Sequence, residues 1–160
     1  MSLTILAAIS ENGVIGIENR IPWRIREDMQ RFKELTLNHS VIMGRVTYDS
    51  LPERFRPLPQ RKNIVLSLSM PQSEGIYVAR NIEEALDLAE QNAYVIGGRK
   101  IYELFLPHSD RMEITRVHQN FSGDAFFPYV DWNEWILTNR KDGTSEDGIP
   151  YSFLSYSREK

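Results

Sequence analysis

One carboxylate stands on the apolar side of a predicted helix, where little water can reach it. Residues 26–36 read as this helix, and its apolar stripe consists of Ile25, Met29, Phe32 and Leu35. Asp28 lies within the stripe. In the simpler alternative, Asp28 only interacts with the partial positive charge of the first helical turn. A carboxylate that loses hydration needs a partner, however, so the position also predicts a bound cation or a hydrogen-bonding ligand.

Two glycine-containing turns follow predicted buried strands and are candidate phosphate sites. They are residues 43–47 (MGRVT) and residues 96–101 (IGGRKI). Helix N-termini present free amides, and parallel sheets bind ligands at the carboxyl ends of their strands. Each turn is equally consistent with a tight strand-to-helix connection. Neither matches G-x-G-x-x-G or the P-loop pattern, which disfavours an ordinary Rossmann domain and a nucleotide triphosphatase. The pair Arg61-Lys62 is a third basic site, or a solvated flank of the next strand.

The composition excludes several other kinds of chemistry. There is no cysteine, so disulfides and thiolate catalysis are excluded and a reducing compartment fits. His39, His108 and His118 have no metal-ligand spacing, and no metal site is expected. The formal net charge of −3 and the lack of a dense Lys/Arg run disfavour nucleic-acid binding. No apolar run approaches the roughly 20 residues that span a membrane. We therefore expect a cytoplasmic protein with neither kind of partner.

Strands and helices alternate over the first two-thirds of the chain. Strands are predicted at 3–9, 41–43, 63–66 and 94–96, and helices at 26–36, after Gly44, from Asn81 to about Gln91, and at 99–106. Residues 12–23 and 52–60 read as loops. Residues 111–118, 132–140 and 150–157 have strand composition and are joined by loops containing Gly123-Asp124 and Asp142-Gly143. The alternation predicts one α/β domain over residues 1–160, with a largely parallel sheet and an antiparallel C-terminal edge.

Seven short segments follow one another in a fixed order along almost the whole chain. They are Val14-Ile15-Gly16 with Asn19, Ile21-Pro22-Trp23, the helix from Asp28 to Phe32, Val41-Ile42-Met43-Gly44-Arg45-x-Thr47, Pro57-Leu58-Pro59-x-Arg61-x-Asn63, Val95-Ile96-Gly97-Gly98 with Tyr102, and Gly123-Asp124 with Phe126-Phe127-Pro128. In this order and spacing they resemble the bacterial, chromosomal-type dihydrofolate reductases. Most of the segments are weak signals alone, and their combination is specific.

The resemblance implies a fold and a reaction. The fold is a central eight-stranded mixed sheet flanked by about four helices, with an adenosine-binding lobe at about residues 40–90. The reaction is the NADPH-dependent reduction of 7,8-dihydrofolate to 5,6,7,8-tetrahydrofolate, with hydride transfer to C6 and protonation at N5. A monomer that binds dihydrofolate and antifolate inhibitors is expected.

The resemblance also implies roles for individual residues at the pterin. Asp28 matches the carboxylate that accepts hydrogen bonds from the 2-amino group and N3 of the ring, and Thr115 matches its hydrogen-bonding neighbour. Asp28 is too far from N5 in the family to protonate it, so a water is the expected donor. The reaction centre is predicted to comprise Asp28, Ile21, Trp23 and Thr115. The substrate site is predicted to comprise Leu6, Ala7, Ala8, Asp28, Met29, Phe32, Ser50, Leu51, Leu58, Arg61, Ile96, Tyr102 and Thr115, with Arg61 on the glutamate tail.

The cofactor site implied by the resemblance is spread over four segments. Its residues are Ala8, Ile15, Gly16, Asn19, Gly44, Arg45, Val46, Thr47, Leu66, Ser67, Ser69, Ile96, Gly97, Gly98, Arg99, Lys100, Ile101, Tyr102 and Asp124. The peptide between Gly97 and Gly98 is expected to be cis. Asp124 is expected to hydrogen-bond the backbone of residues 16–19 and to steady a mobile loop.

Three departures from the family pattern affect detail. The loop methionine of many relatives is replaced by Ile17 or Ile21, depending on the alignment. Residues 52–56 read as a short insertion. Leu68 stands where relatives often offer a hydroxyl to the 2′-phosphate, which places more weight on Arg45, Ser67, Ser69 and Lys100 for the NADPH preference.

Two alternative functions remain at the level of sequence. One keeps the fold but acts on a ribityl phosphate substrate, as in the pyrimidine reductases of riboflavin synthesis. The other is a non-catalytic NADP-binding module. The Asp28 helix and Arg61 favour folate, because a ribityl phosphate has no glutamate carboxylate for Arg61 to bind.

Overall fold

The computed structural model describes residues 2–158 and contains ten strands, four α-helices and three short 3-10 helices in that range. The strands are β1 (Ser2–Ser10), β2 (Val14–Gly16), β3 (Ser40–Gly44), β4 (Lys62–Leu66), β5 (Ile76–Ala79), β6 (Asn92–Val95), β7 (Arg111–Val117), β8 (Ala125–Phe126), β9 (Trp135–Thr144) and β10 (Pro150–Arg158). The helices are α1 (Arg26–Thr36), α2 (Arg45–Ser50), α3 (Ile82–Leu88) and α4 (Arg99–Phe105), and the 3-10 helices span Glu53–Phe55, Leu106–His108 and Trp132–Glu134.

Eight strands form one mixed sheet in the order β5-β4-β3-β6-β1-β7-β10-β9. The five pairs from β5 to β7 are parallel, and β10 is antiparallel to both β7 and β9. The remaining strands, β2 and β8, form a separate two-stranded antiparallel sheet. The predicted α/β class, the antiparallel C-terminal edge and the four helices are confirmed.

The central strands are apolar on both sides because both faces of the sheet are covered. In β3, Ile42 belongs to the cluster on one face, whereas Val41 and Met43 belong to the cluster on the other. All three are fully buried. Successive side chains of a strand point to opposite faces, so continuous apolar runs of this kind identify strands of a covered, parallel sheet.

Helix α3 begins where it was predicted and ends earlier. The side chain of Asn81 caps it by accepting a hydrogen bond of 2.8 Å from the amide of Glu84. The helix ends at Leu88 rather than at about Gln91, because Ala89 is already extended. The next amide, of Glu90, donates to the Ser40 hydroxyl at 3.1 Å, which turns the chain towards the sheet.

The C-terminal hairpin differs from its prediction. Asp142 and Gly143 do not form a loop but lie inside β9, which starts at Trp135 and not at residue 132. Gly143 is required by packing: a Cβ there would lie 2.6 Å from the ring carbon Cζ of Tyr151 on β10. Asp142 instead accepts a cross-strand hydrogen bond of 2.5 Å from Ser152.

Three short strands were not predicted. One, β5, has only four residues, one of them exposed. The other two, β2 and β8, lie in segments expected to be loop and pair with each other. A Cβ on Gly123 would lie 2.7 Å from the carbonyl oxygen of Gly16, so this small sheet requires glycine at position 123. No helix among residues 2–158 is long and apolar enough to cross a membrane.

Candidate active site

The sheet has its topological switch point between β6 and β1. From β1 the chain crosses to β3 on one side, whereas from β6 it crosses to β7 on the other. Ligands of open α/β sheets bind in the crevice that such a reversal leaves at the carboxyl ends of the strands. The chain leaves β6 through Ile96, Gly97 and Gly98 at this end of the sheet. The crevice therefore lies beside the residues predicted to bind substrate and cofactor.

Asp28 is held against the end of this crevice by β7. It lies in the first turn of α1, and its Oδ1 accepts a hydrogen bond of 2.5 Å from the Thr115 hydroxyl. Thr115 pairs with Ala8 on β1 and with Phe153 on β10. Burial raises the pKa of Asp28 above its ordinary value, while the Thr115 hydrogen bond and the charge of Arg31 act in the opposite direction.

The nearest cation does not neutralise Asp28. Arg31 forms its ion pair with Glu113, at 2.9 Å between Nη2 and Oε2, and its guanidinium lies 4.6 Å from the centre of the Phe153 ring. Ser155 also donates to Glu113. Asp28 has no ion pair with any residue in the described part of the chain. The carboxylate is thus desolvated, and the Thr115 hydroxyl is its one side-chain partner among residues 2–158.

Two further polar groups are buried near this site. The hydroxyl of Tyr102 donates to the carbonyl of Leu6 on β1 at 2.8 Å, and burial together with the charge of Asp28 raises its pKa. The ring of Trp23 packs at 4.9 Å from that of Phe121. The indole N–H of Trp23 is buried and has no hydrogen-bond partner within residues 2–158. A buried donor of this kind normally binds an ordered water.

Large apolar side chains of the predicted ligand-binding segments are exposed to solvent. Met29 on α1 is 58% exposed, so the apolar stripe of α1 does not pack fully against the sheet. Ile21 and Val46 are exposed to a similar degree. By contrast, Ile25 at the start of the stripe is buried in the core. Apolar surface of this kind is available to a largely apolar ligand.

Arg61 is fixed on the other side of α1. Its Nε donates to the carbonyl of Pro59 at 2.9 Å, and its Nη1 donates to the Thr36 hydroxyl at the end of α1 at 3.2 Å. It has no ion pair with any of residues 2–158, and partial burial lowers its pKa. A guanidinium has five N–H donors, so donors remain for a carboxylate.

The remaining predicted substrate residues differ in burial. Leu6, Ala7 and Leu58 are buried, and Phe32, Leu51 and Ile96 are partly buried against the cluster that contains Leu58. Ser50 is exposed, and its hydroxyl donates to the carbonyl of Thr47 at 2.6 Å. Phe32 on α1, Leu51 after α2 and Leu58 before β4 therefore share one apolar cluster.

The two glycine-containing turns are in contact with each other. The amide of Gly44 donates to the carbonyl of Gly97 at 2.9 Å, and the peptide between Gly97 and Gly98 is cis. A Cβ on Gly98 would lie 3.7 Å from the Thr47 hydroxyl, and one on Gly44 would lie 3.0 Å from the Ile101 side chain. The two turns, each a candidate phosphate site in the sequence, therefore lie side by side at the starts of α2 and α4.

The residues along the chain match the dihydrofolate reductase family over positions 2–158. The chain is 37% identical to a dihydrofolate reductase of Bacillus subtilis, over 98% of this chain and 95% of that protein. It is 41% identical to one of Mycobacterium tuberculosis, over 94% of both chains. A solved structure, described as dihydrofolate reductase from Enterococcus faecalis complexed with NADP(H) and RAB-propyl, superposes with a TM-score of 0.90 at 32% identity, covering 99% of this chain and 97% of that one.

This chain belongs to the dihydrofolate reductase family. It is an NADPH-dependent oxidoreductase that reduces 7,8-dihydrofolate to 5,6,7,8-tetrahydrofolate, by hydride transfer to C6 and protonation at N5. The pyrimidine reductase and the non-catalytic alternatives are therefore set aside.

The loop of residues 12–23 is held by Asp124. Its Oδ2 accepts a hydrogen bond of 3.0 Å from the amide of Glu18, and its own amide donates to the carbonyl of Gly16 at 3.1 Å. Glu18 and Asn19 both have positive φ, in the turn closed by the bridge between Ile17 and Arg20. The backbone contact that the resemblance implied for Asp124 is present.

The basic residues of the cofactor segments are only weakly paired. Arg45 lies 3.6 Å from Asp49 and Arg99 lies 3.8 Å from Glu103, and both ion pairs are exposed. The Ser67 hydroxyl accepts from the amide of Met70 at 3.1 Å, and Leu68 beside it is 87% exposed. Exposed pairs of this kind contribute little to stability, so their cations can be redirected to a ligand at small cost.

Arg80 was missed in the sequence, and Asn63 was named there only as part of the segment that contains Arg61. Arg80 follows β5, and its Nη1 donates to the carbonyl of Ser67 at 2.9 Å, which places a cation beside Leu68. No sequence signal indicated it, because β5 itself was not predicted. Asn63 is fully buried, accepts from the amide of Leu58 at 2.9 Å and donates to the carbonyls of Leu58 and Arg61. An asparagine within an apolar strand was the available signal that Asn63 organises the Arg61 loop.

Proposed function

We propose that Asp28 is the carboxylate that binds the pterin ring of dihydrofolate. The observation that carries this proposal is that the Asp28 side chain is desolvated and has Thr115 as its hydrogen-bond partner but no cation. Within residues 2–158 Oδ2 remains free and Oδ1 has a second lone pair, so the carboxylate can accept from the 2-amino group and N3 of a pterin, which present two donors side by side. Binding through charge-assisted hydrogen bonds would offset the cost of desolvating the carboxylate.

Asp28 raises the basicity of the bound ring without delivering the proton itself. A negative charge beside the pterin stabilises the protonated form, which is electrostatic catalysis. The proton at N5 comes from water in this proposal. The unpartnered indole N–H of Trp23 supports it, because a buried donor can position such a water molecule. Thr115 keeps the carboxylate oriented, and Ile21 covers the reaction centre from the loop.

Arg61 binds the α-carboxylate of the glutamate tail. Its guanidinium is already oriented by Pro59 and Thr36, and its loop is held by the buried Asn63. An oriented guanidinium loses less entropy when it forms a bidentate pair with a carboxylate. The benzoyl group would pass between α1 and the 50–58 segment, against the substrate residues Met29, Phe32, Ser50, Leu51 and Leu58.

The joined glycine turns fit a dinucleotide pyrophosphate. They place free amides of α2 and α4 on one surface, and the absence of Cβ atoms at Gly44, Gly97 and Gly98 keeps that surface open. NADPH, when bound, supplies the hydride for C6. The chain's own contribution is to hold its phosphates with Arg45, Val46, Thr47 and residues 98–101, and to border its nicotinamide with Ala8, Ile15, Gly16, Asn19, Ile96, Tyr102 and the loop held by Asp124.

The adenosine end of the cofactor falls in the lobe of residues 40–90 in this proposal. Leu66, Ser67 and Ser69 border it, and Leu68 offers no hydroxyl to a 2′-phosphate. Arg45 and Arg80 supply the positive charge instead. Lys100, in the second glycine-containing turn, is a further cation. A phosphate with two negative charges is attracted by this pair far more than a ribose hydroxyl is.

The test of the substrate assignment is a kinetic comparison of two neighbouring cations. Arg61→Leu should raise KM for dihydrofolate by about 10- to 100-fold, since a charge-assisted, bidentate pair is lost. KM for NADPH should change less than twofold. Lys62→Leu is the matched control, because Lys62 pairs with Glu90 at 3.5 Å on the surface and should leave both KM values unchanged. Equal effects of Arg61→Leu on both KM values would refute the carboxylate role.

We further propose that the enzyme is a cytoplasmic monomer and that residues 1–160 act as one domain. The absence of cysteine is consistent with a reducing compartment. Sedimentation at micromolar concentration should give a single species near 18.6 kDa. A species of twice this mass would contradict the proposal.

A further inference from the structure

His118 joins three parts of the fold at the end of β7. Its Nδ1 lies 3.2 Å from Oε2 of Glu11, and its Nε2 lies 2.7 Å from the Ser152 hydroxyl on β10. Ser152 in turn donates to Oδ1 of Asp142 on β9 at 2.5 Å. This cluster connects the turn after β1 to the β9–β10 hairpin, and neither the substrate site nor the cofactor site uses it.

The hydrogen-bond partners determine which form of the ring fits the cluster. Ser152 has one hydroxyl proton, which it gives to the Asp142 carboxylate, so its oxygen accepts from Nε2 of His118. The Glu11 carboxylate can only accept, so Nδ1 must also carry a proton. Both contacts together therefore require the imidazolium form. A neutral ring has one N–H and must lose either Glu11 or the Ser152–Asp142 arrangement.

The same three residue types occur in serine hydrolases, but this arrangement is not nucleophilic. The side chain of Ser152 is fully buried, and its proton is directed to Asp142 rather than to the histidine. An acyl group could not reach the hydroxyl oxygen. The cluster is suited to holding segments together and not to covalent catalysis.

Glu11 is the residue at which the chain enters the loop over the crevice. Its amide donates to the carbonyl of Gln119 at 3.1 Å, directly after His118. The next residue, Asn12, accepts from the amide of Phe121 and donates to its carbonyl. The base of the 12–23 loop is thus held by the segment that follows β7, and Asp124 holds its tip.

We propose that His118 is a positioning residue whose protonation fastens the base of the 12–23 loop to the β9–β10 hairpin and so favours the loop arrangement that covers the crevice. This inference rests on the role proposed above for the loop. Removal of one ring proton as the pH rises leaves a single N–H and releases Glu11.

Charged groups of both signs surround His118. Glu11 comes from the turn after β1, and Asp142 and Arg140 come from β9. Arg116 is on β7 itself and donates to the carbonyl of Ser10 at 3.1 Å. The nearest titratable group farther along β10 is Tyr156. Hydrogen bonds from Ser152 and Arg140 lower the pKa of Asp142, so the acceptor for Ser152 stays ionised over the whole pH range of the test.

The test is amide hydrogen exchange of the enzyme without substrate or cofactor, at pH 6 and pH 8. The reporters are the hydrogen-bonded amides of Val14, Ile17, Glu18 and Arg20. In the wild type, their protection factors should fall about three- to fivefold from pH 6 to pH 8, the size expected for a half-exposed ion pair. In His118→Gln and in Glu11→Gln, protection should be low at both pH values.

His108→Gln is the matched control, because His108 is an exposed histidine in the 3-10 helix after α4 and should behave as the wild type does. The hydride-transfer rate of His118→Gln relative to the wild type should be about threefold lower at pH 6 and unchanged at pH 8. Ring 15N spectra should show both nitrogens of His118 protonated where the loop is protected, and less so in Glu11→Gln.

Two results would overturn the proposal. The first is equal pH dependence of loop protection in His118→Gln and in the wild type. The second is titration of the His118 ring without any change in protection of the loop. Because exchange is measured without turnover, loss of dihydrofolate reduction cannot mimic either result. If loop protection follows the prediction but the hydride-transfer rate does not change, His118 fastens the base of the loop. Its proposed effect on the reaction is then contradicted.

Discussion

At the scale of single residues, the site depends on a carboxylate held without a counter-ion. Asp28 is desolvated, bound to Thr115, and separated from Arg31 by the pairing of that arginine with Glu113. The helical pattern was sufficient to identify Asp28 as exceptional. It was not sufficient to show that Arg31 was committed elsewhere, because Glu113 lies 82 residues away in the sequence.

Replacement of Asp28 by Asn should stabilise the ligand-free protein at neutral pH. Burial raises the pKa of Asp28, so the folded state binds the proton more tightly than the unfolded state does. The ionised side chain therefore lowers stability at neutral pH, and this cost disappears as the pH falls through the folded-state pKa. We expect Asp28→Asn to raise the free energy of unfolding by about 1 kcal/mol at pH 7, a typical gain from removing a strained functional group.

Urea unfolding at pH 7 and at pH 3 measures this difference. It should shrink towards zero at pH 3, where Asp28 is protonated in both states. Glu27→Gln is the control, because the neighbouring Glu27 is exposed. A variant that is less stable than the wild type at pH 7 would show that the carboxylate forms stabilising contacts that outweigh its desolvation.

At the scale of elements, the loop over the crevice is positioned by contacts with the segment around β8. Residues 12–23 contain only the three-residue strand β2, which pairs with two residues of β8. The side-chain contact of Asp124 with Glu18 and the close approach of Gly123 to Gly16 add to this short pairing. So little backbone pairing makes a single side-chain contact important for the loop.

Asp124→Ala should therefore increase loop mobility and slow hydride transfer by about tenfold, the effect of losing one charge-assisted hydrogen bond. Relaxation-dispersion measurements on residues 14–20 check the loop mobility, and single-turnover kinetics check the rate of hydride transfer. Asp131→Ala is the control, since Asp131 makes the same kind of contact, with the amide of Asn133 at 3.1 Å, in another loop. Unchanged dispersion and an unchanged rate in Asp124→Ala would show that this contact is not needed.

The elements also show which parts of the fold the sequence could predict. The continuous apolar runs of β1, β3 and β4 identified them, because strands covered on both faces need apolar residues at every position. The edge strand β9 is almost entirely exposed, and Gly143 resembled a turn although its role is to accommodate Tyr151. The short strand β5 carries no pattern long enough to detect, and Arg80 was missed with it.

At the scale of the whole molecule, sheet order brings separate sequence motifs into one site. Because β3 and β6 are neighbours in the sheet, the turns that follow them meet, and Gly44 hydrogen-bonds to Gly97. The motifs supplied the candidate residues of the site. Their contacts could not be predicted, since distances such as that from Thr115 to Asp28 depend on packing across 87 residues of chain.

Cofactor binding should stabilise the whole molecule, and the gain in the free energy of unfolding should depend on how tightly the cofactor phosphates are bound. At 100 times its Kd, NADPH should add about 2.7 kcal/mol to the free energy of unfolding. Arg80→Ala should weaken NADPH about tenfold, the loss expected for one charged hydrogen bond, and should leave NADH unchanged. Arg111→Ala is the control, because Arg111 is exposed at the start of β7, the opposite end of the parallel strands. Thermal unfolding with each cofactor measures the stabilisation that the cofactor gives. Equal losses of affinity for NADPH and NADH in Arg80→Ala would contradict the role of Arg80.

Asp28 is proposed to bind and polarise the pterin. The most direct test of this proposal is the rate of dihydrofolate-dependent NADPH oxidation at pH 7 by the wild type, Asp28→Asn and Glu27→Gln. We predict full activity in the wild type, activity within twofold of it in Glu27→Gln, and a loss of about 100- to 1,000-fold in Asp28→Asn, the range for removing one preorganised electrostatic group. Wild-type turnover by Asp28→Asn would contradict the account.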